Sequence, residues 1–318
     1  MTDKQINTWL RSRFSVIGWV LIGYYLLVNG LSMVAMLWEA LRQTRGLIGK
    51  GPMWWTQIDM DALAGNAWGY IAAIAVLFCI LHAWKGPGYW RSEVLVKEKP
   101  MKGRVFLSVL CLCLGCQMIN SFWVSGLELL FNCFDKSLMP MLESVSGDSD
   151  TFSMFLYAAI LAPIAEELLF RGYILRSLMP YGKKFAVFAS AFLFGVFHGN
   201  LIQTPYAFLM GLVLGYVAVE YSAVWAIGVH TFNNLVLADL LTRLTKPLPL
   251  EIAGGINLIL LGSGLAASGV ILLVKRREIV DYLCSEWMDR RVLKCFFTCG
   301  GMILLMVLML GNSLLFLP

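Results

Sequence analysis

Charge is scarce in this chain: Asp, Glu, Lys and Arg make up only 14% of 318 residues, against about 25% in an ordinary soluble domain. A soluble enzyme and a disordered chain are both excluded. There are three histidines and eight cysteines. The cysteines lack the paired spacing of a zinc site and mostly lie inside apolar runs, where free Cys acts as a small packing residue. No run shows the alternation of a half-buried strand, and there is no internal repeat, low-complexity tract or separate soluble segment.

What is present is apolar sequence. Hydrophobic residues reach 59% and mean hydropathy is +0.73. Long apolar stretches run from Phe14 to Trp38, Ala62 to Trp84, Val105 to Leu127, Phe152 to Leu175, Phe185 to His198, Pro205 to Val219, Ala223 to Leu241, Ile252 to Val274 and Cys295 to Leu317. Lipid offers a backbone no hydrogen-bond partner, so each is expected to be helical. The expected fold is an all-α polytopic transmembrane bundle of about eight or nine helices, the two short stretches being candidates for burial inside it. One integral membrane domain, 1–318, is expected, with a catalytic helix core at 152–241. The first stretch is longer than the 7–15 residues of a signal-peptide core, which favours an uncleaved span.

With the N-terminus inside and strict alternation, 19 basic residues fall inside and six outside, namely Arg42, Arg45, Lys50, Lys136, Arg243 and Lys246. The acidic loop from Glu128 to Asp150 falls outside. The excess of basic residues, +5 overall, thus reads as a topology signal, and a nucleic-acid partner is not needed. The implied location is a multi-pass membrane protein, in the cell membrane if bacterial, with a cytoplasmic N-terminus and Lys97 among its inside charges.

Ionisable residues inside apolar sequence cost roughly 2.5–3.5 kcal/mol each at a helix centre, so those that persist point to function. Glu166 and Glu167 follow a long apolar run, with Arg171 four residues after Glu167. At 100° per residue Glu167 and Arg171 share a stripe and can pair, leaving Glu166 as the free carboxylate. His198 ends an aromatic-rich stretch containing Phe194, and His230 stands four residues before Asn234. The third histidine, His82, sits beside Trp84 and Lys85 at a span end and reads as interfacial. If Pro180-Tyr181-Gly182 turns a helix hairpin, Glu166 and His198 lie about 22 and 25 Å above it and can meet.

A carboxylate and an imidazole converging in an apolar cavity can activate a water, and a second His with an Asn can stabilise the oxyanion formed when water attacks an amide. The same residues also suit a polar network that only fixes helix packing, or a proton relay or transporter.

The ordered set Glu166-Glu167-x-x-x-Arg171, Phe194-x-x-x-His198 and His230-x-x-x-Asn234 resembles the three motifs of the CPBP family of intramembrane proteases, which includes type II CAAX prenyl endopeptidases and bacteriocin-processing or immunity proteins of the Abi type. The resemblance spans Glu166 to Asn234. It implies an intramembrane endopeptidase that acts without a covalent intermediate on a membrane-associated protein or peptide, in contact with membrane lipid. By match to the motifs, Glu166 is the general base, His198 its partner in activating water, and His230 with Asn234 the oxyanion pair. Glu167 and Arg171 are supporting residues, and Phe194 shapes the pocket or packs the core. No cofactor is implied, although Glu166, His198 and His230 offer a two-His, one-carboxylate set for zinc; the chain has no HExxH. The alternative function is a non-catalytic immunity or regulatory membrane protein binding in the same pocket. Asn233, turned about 100° from Asn234, is given no role.

Overall fold

A computed structural model describes residues 2–47, 56, 58–96, 99–146, 151–285, 288–315 and 317. Lys50, Lys97 and residues 147–150 of the expected acidic loop lie outside these. Helices dominate, as the apolar composition dictates: α1 (Asp3–Leu47), α2 (Trp68–Lys85), α3 (Gly103–Asn132), α4 (Phe152–Tyr181), α5 (Lys183–Phe197), α6 (Thr204–Glu220), α7 (Ala223–Thr245), α8 (Leu250–Val274), α9 (Arg276–Ser285), α10 (Arg290–Phe297) and α11 (Gly300–Leu315). Six of them, α1, α3, α4, α7, α8 and the Met60–Lys85 stretch that contains α2, are long and apolar enough to cross a membrane.

Two expectations change in detail. The run Cys295–Leu317 is not one straight span: α10 and α11 meet at a bend of 59°. Arg290, Arg291 and Lys294 give α10 a polar face, while Val292, Cys295 and Phe296 bury its apolar one, the pattern of a helix at a boundary rather than across the hydrocarbon. The stretch from Glu128 is also more ordered than a loop, since α3 runs on to Asn132 and a short helix covers Met139–Ser146. Glu128 ties the two together, its carboxylate accepting from the Leu138 N–H at 2.7 Å and from Ser137 Oγ at 2.9 Å.

The three helices that carry the motifs, α4, α5 and α7, lie with α6 between two flanking sets. On one side α1, α2, α10 and α11 share a core with α4 and α5, built on Phe14, Phe170, Phe185, Phe194 and Phe296. On the other, α3 packs on α6 and α7 through Val109, Leu110, Cys113, Leu214 and Val229, and α8 lies along α3. The α3–α8 approach needs small residues: a Cβ on Gly264 would overlap Leu114, and Ser268 Oγ hydrogen-bonds Cys111 O at 2.9 Å. Such stripes let helices approach closely where lipid removes the hydrophobic drive. The outer face of α8 presents Leu258, Ile259, Val270 and Leu273, as a lipid-facing helix requires.

At one end of α6, Glu220 is held by Lys183 and by Lys99, the latter at 3.0 Å. That hydrogen bond keeps the Lys99 ammonium above its usual range. None of the eight cysteines is in a disulfide.

Candidate active site

Helix α4 is continuous but not uniform. Wide, π-type turns at Leu156–Leu161 and Leu168–Ile174 flank a regular segment, Ala162–Glu167, that opens with Pro163 in its first turn. Proline has no N–H to give the preceding turn and its ring crowds the carbonyl four residues back, so the ladder must shift there. A third wide turn, Asn233–Leu240, begins in α7 just after His230. The motif residues therefore sit where the helical register changes.

The adjacent carboxylates have different surroundings. Glu167 is fully buried. Its Oε1 lies 3.0 Å from Arg171 Nη1 and 2.9 Å from His230 Nδ1. Arg171, equally buried, also donates from Nη2 to Gly211 O at 3.3 Å and lies 4.4 Å from the centre of the Phe194 ring. The i,i+4 pair expected from the sequence is formed, and α7 is docked onto it through His230. Glu166 keeps 25% of its side chain exposed, and its Oε2 lies 3.8 Å from His230 Nε2. One carboxylate is thus locked and the other accessible.

His198 ends α5. Gly199 follows with φ of 60°, a left-handed residue of the kind that closes helices, and a side chain there would meet Asn312. Asn312 donates to Gly199 O at 2.9 Å and accepts from Tyr25 Oη at 3.0 Å, so α11 and α1 hold this turn. The His198 Nδ1 lies 2.8 Å from Phe194 O. A carbonyl only accepts, so Nδ1 carries the proton and Nε2 of the neutral ring is an acceptor. No hydrogen bond or ion pair joins His198 to Glu166 among the described residues; the imidazole next to Glu166 is His230. Phe194 meets both rings edge-on, at 4.9 Å from His198 and 5.9 Å from His230. It is 2% exposed, and with Arg171 on it, it forms the wall between the histidines. Asn234 donates from Nδ2 to Ala158 O at 3.2 Å, bridging α7 to α4.

Residues 148–236 match the family model described as Type II CAAX prenyl endopeptidase Rce1-like. The segment that holds these residues is thus similar to a type II CAAX prenyl endopeptidase domain. No curated protein and no solved structure matches the chain.

Beside the motif residues lie polar residues that sequence reasoning passed over. Asn233 is 3% exposed and donates to Asn234 Oδ1 at 3.1 Å. Gln117 of α3 and Tyr206 of α6 hydrogen-bond Asn233 in turn. The phenols of Tyr24 on α1 and Tyr157 on α4 lie within electrostatic reach of Glu166; Tyr157 stacks on Tyr70 at 4.9 Å and Tyr24 on Phe197 at 5.6 Å. Gln117 is a polar residue in an apolar span, a signal of the same type that exposed the motifs, but uncharged. The tyrosines carry no such signal.

Among the described residues no group of three or more His, Cys, Asp or Glu side chains is placed to hold a metal ion. Glu166, His198 and His230 do not converge as zinc ligands do.

Proposed function

We propose that the chain is an intramembrane endopeptidase in which Glu166 activates water, with 152–241 as the catalytic core. Glu166 takes a proton from water as its oxygen attacks the carbonyl carbon of a peptide bond, and returns that proton to the amine that leaves. His198 accepts a hydrogen bond from the same water through Nε2 and orients it. The oxygen of the tetrahedral intermediate is met by His230, from Nε2 when that nitrogen carries a proton, and by the amide of Asn234. Glu167 and Arg171 hold His230 by its Nδ1, which turns Nε2 to the Glu166 side. Phe194 keeps the two imidazoles apart. The observation that carries this reading is the contrast within the pair: Glu167 buried and engaged through Oε1 by Arg171 and His230, Glu166 accessible beside His230 Nε2.

The substrate class proposed is a membrane-associated protein or peptide. Purified protein in detergent, offered fluorogenic peptides with and without a lipid group, is expected to cleave lipidated peptides preferentially and at an unchanged rate in a zinc chelator. Loss of cleavage in chelator, restored by zinc, would replace the metal-free mechanism. A folded protein that cleaves none of the peptides would favour the non-catalytic pocket.

A further inference from the structure

Behind Asn234 lies a chain of side-chain amides whose direction is set at one end. Ala158 O accepts from Asn234 at 3.2 Å, and a carbonyl cannot donate, so the atom facing it is Nδ2. Asn234 Oδ1 then faces away from α4 and accepts from Asn233 Nδ2 at 3.1 Å. Asn233 Nδ2 also donates to Tyr206 Oη at 3.1 Å, and Asn233 Oδ1 accepts from Gln117 Nε2 at 3.3 Å. Gln117 reaches Tyr206 Oη as well, at 3.2 Å. Three helices, α3, α6 and α7, thus contribute to one polar chain ending at Asn234, and its order of donors and acceptors is consistent at every link.

The amide of Asn has two faces that differ only in which atom is N and which is O. A flip exchanges an oxyanion donor for a lone pair that repels the oxyanion. Ala158 alone opposes the flip with one hydrogen bond, worth about 1 kcal/mol net. Asn233 adds a second on the other side, and Asn233 is itself kept from flipping by Gln117 and Tyr206. Among the described residues no protein acceptor takes the second N–H of Asn234, which leaves it available to a ligand.

We infer that Gln117, Tyr206 and Asn233 are positioning residues that hold the amide of Asn234 with its second N–H toward the oxygen of the reacting carbonyl. This rests on the peptidase reading above and concerns residues that none of the three motifs contains. They do not touch substrate; they act through Asn234.

The test is steady-state kinetics of Gln117→Leu, Tyr206→Phe and Asn233→Asp, alone and combined with Asn234→Ala. Asn233→Asp keeps the shape but puts a carboxylate in a buried place, so the uncharged Gln117→Leu and Tyr206→Phe are the variants that isolate the hydrogen bonds. Each single variant is expected to lower kcat by about 10- to 100-fold, a part of what loss of an oxyanion donor costs, while KM stays within about twofold of the wild-type value. In the Asn234→Ala background the same changes are expected to add nothing, since the residue they position is gone. Thermal unfolding of each variant establishes that it is folded, and Tyr206→Phe, which deletes one hydroxyl, serves if Asn233→Asp is not. Wild-type kcat in Gln117→Leu and Tyr206→Phe, or an undiminished loss in the Asn234→Ala background, would overturn the assignment while leaving the peptidase reading in place. A wild-type rate in Glu166→Gln would overturn that reading, and the assignment with it.

Discussion

Replacing Glu166 by glutamine is expected to lower the rate of peptide cleavage by about 10²- to 10⁴-fold, the usual contribution of a positioned general base. The amide keeps the size of the side chain and can still accept a hydrogen bond from water, but it cannot take the proton. Because Glu166 is partly exposed and, among the described residues, its nearest ionic partner is His230 Nε2 at 3.8 Å, its loss is expected to shift thermal unfolding by less than about 2 °C. Activity and stability therefore separate at this position. Equal falls in both would mean that Glu166 holds the bundle together rather than acting on water. The measurement is kcat/KM on a cleaved peptide together with an unfolding scan in the same detergent.

Arg171→Ala is expected to give the opposite result, a large loss of stability. Arg171 and Glu167 are both fully buried, 3.0 Å apart. Removing one partner leaves an uncompensated charge inside the bundle, which costs about 3–5 kcal/mol. Removing both is a milder change, because the desolvation that the pair demands disappears with it. Arg171→Met combined with Glu167→Gln is accordingly expected to unfold at a higher temperature than Arg171→Ala, although it remains slow in catalysis because His230 Nδ1 has lost its carboxylate acceptor. The unfolding temperatures of the two variants decide this. A double variant no more stable than Arg171→Ala would show that the guanidinium matters through its other contacts, Gly211 O and the Phe194 ring, and not through the ion pair.

The helical bundle was legible because membrane spans announce themselves by length and apolar content, and because charges inside them are costly enough to stand out. Helical periodicity alone was enough to pair Glu167 with Arg171 and set Glu166 apart. Three features were not legible, each for a physical reason. The docking of His230 onto Glu167 is a contact between helices 63 residues apart in the chain, and a stripe on one helix says nothing about which neighbour it meets. The hairpin estimate placed Glu166 and His198 at similar heights, but height does not fix rotation, and it is His230 whose ring lies next to Glu166. Asn233 was passed over because it points away from Asn234 on an ideal helix; the wide turn that starts at Asn233 alters that geometry, and the side chains hydrogen-bond. The bend between α10 and α11 followed a similar pattern: the run Cys295–Leu317 is apolar throughout, and only the basic residues just ahead of it on α10 mark the first turns as boundary rather than span.

Whether this cluster cuts peptide bonds is read by comparing new protein termini in membranes that contain the wild-type chain with those in membranes that contain the Glu166→Gln chain at equal abundance, using mass spectrometry of terminal peptides. A peptidase that works through Glu166 yields a set of termini from membrane-associated proteins that appears with the wild-type chain and is absent with the variant. The same termini at the same levels from both chains would mean that Glu166 does not cut peptide bonds.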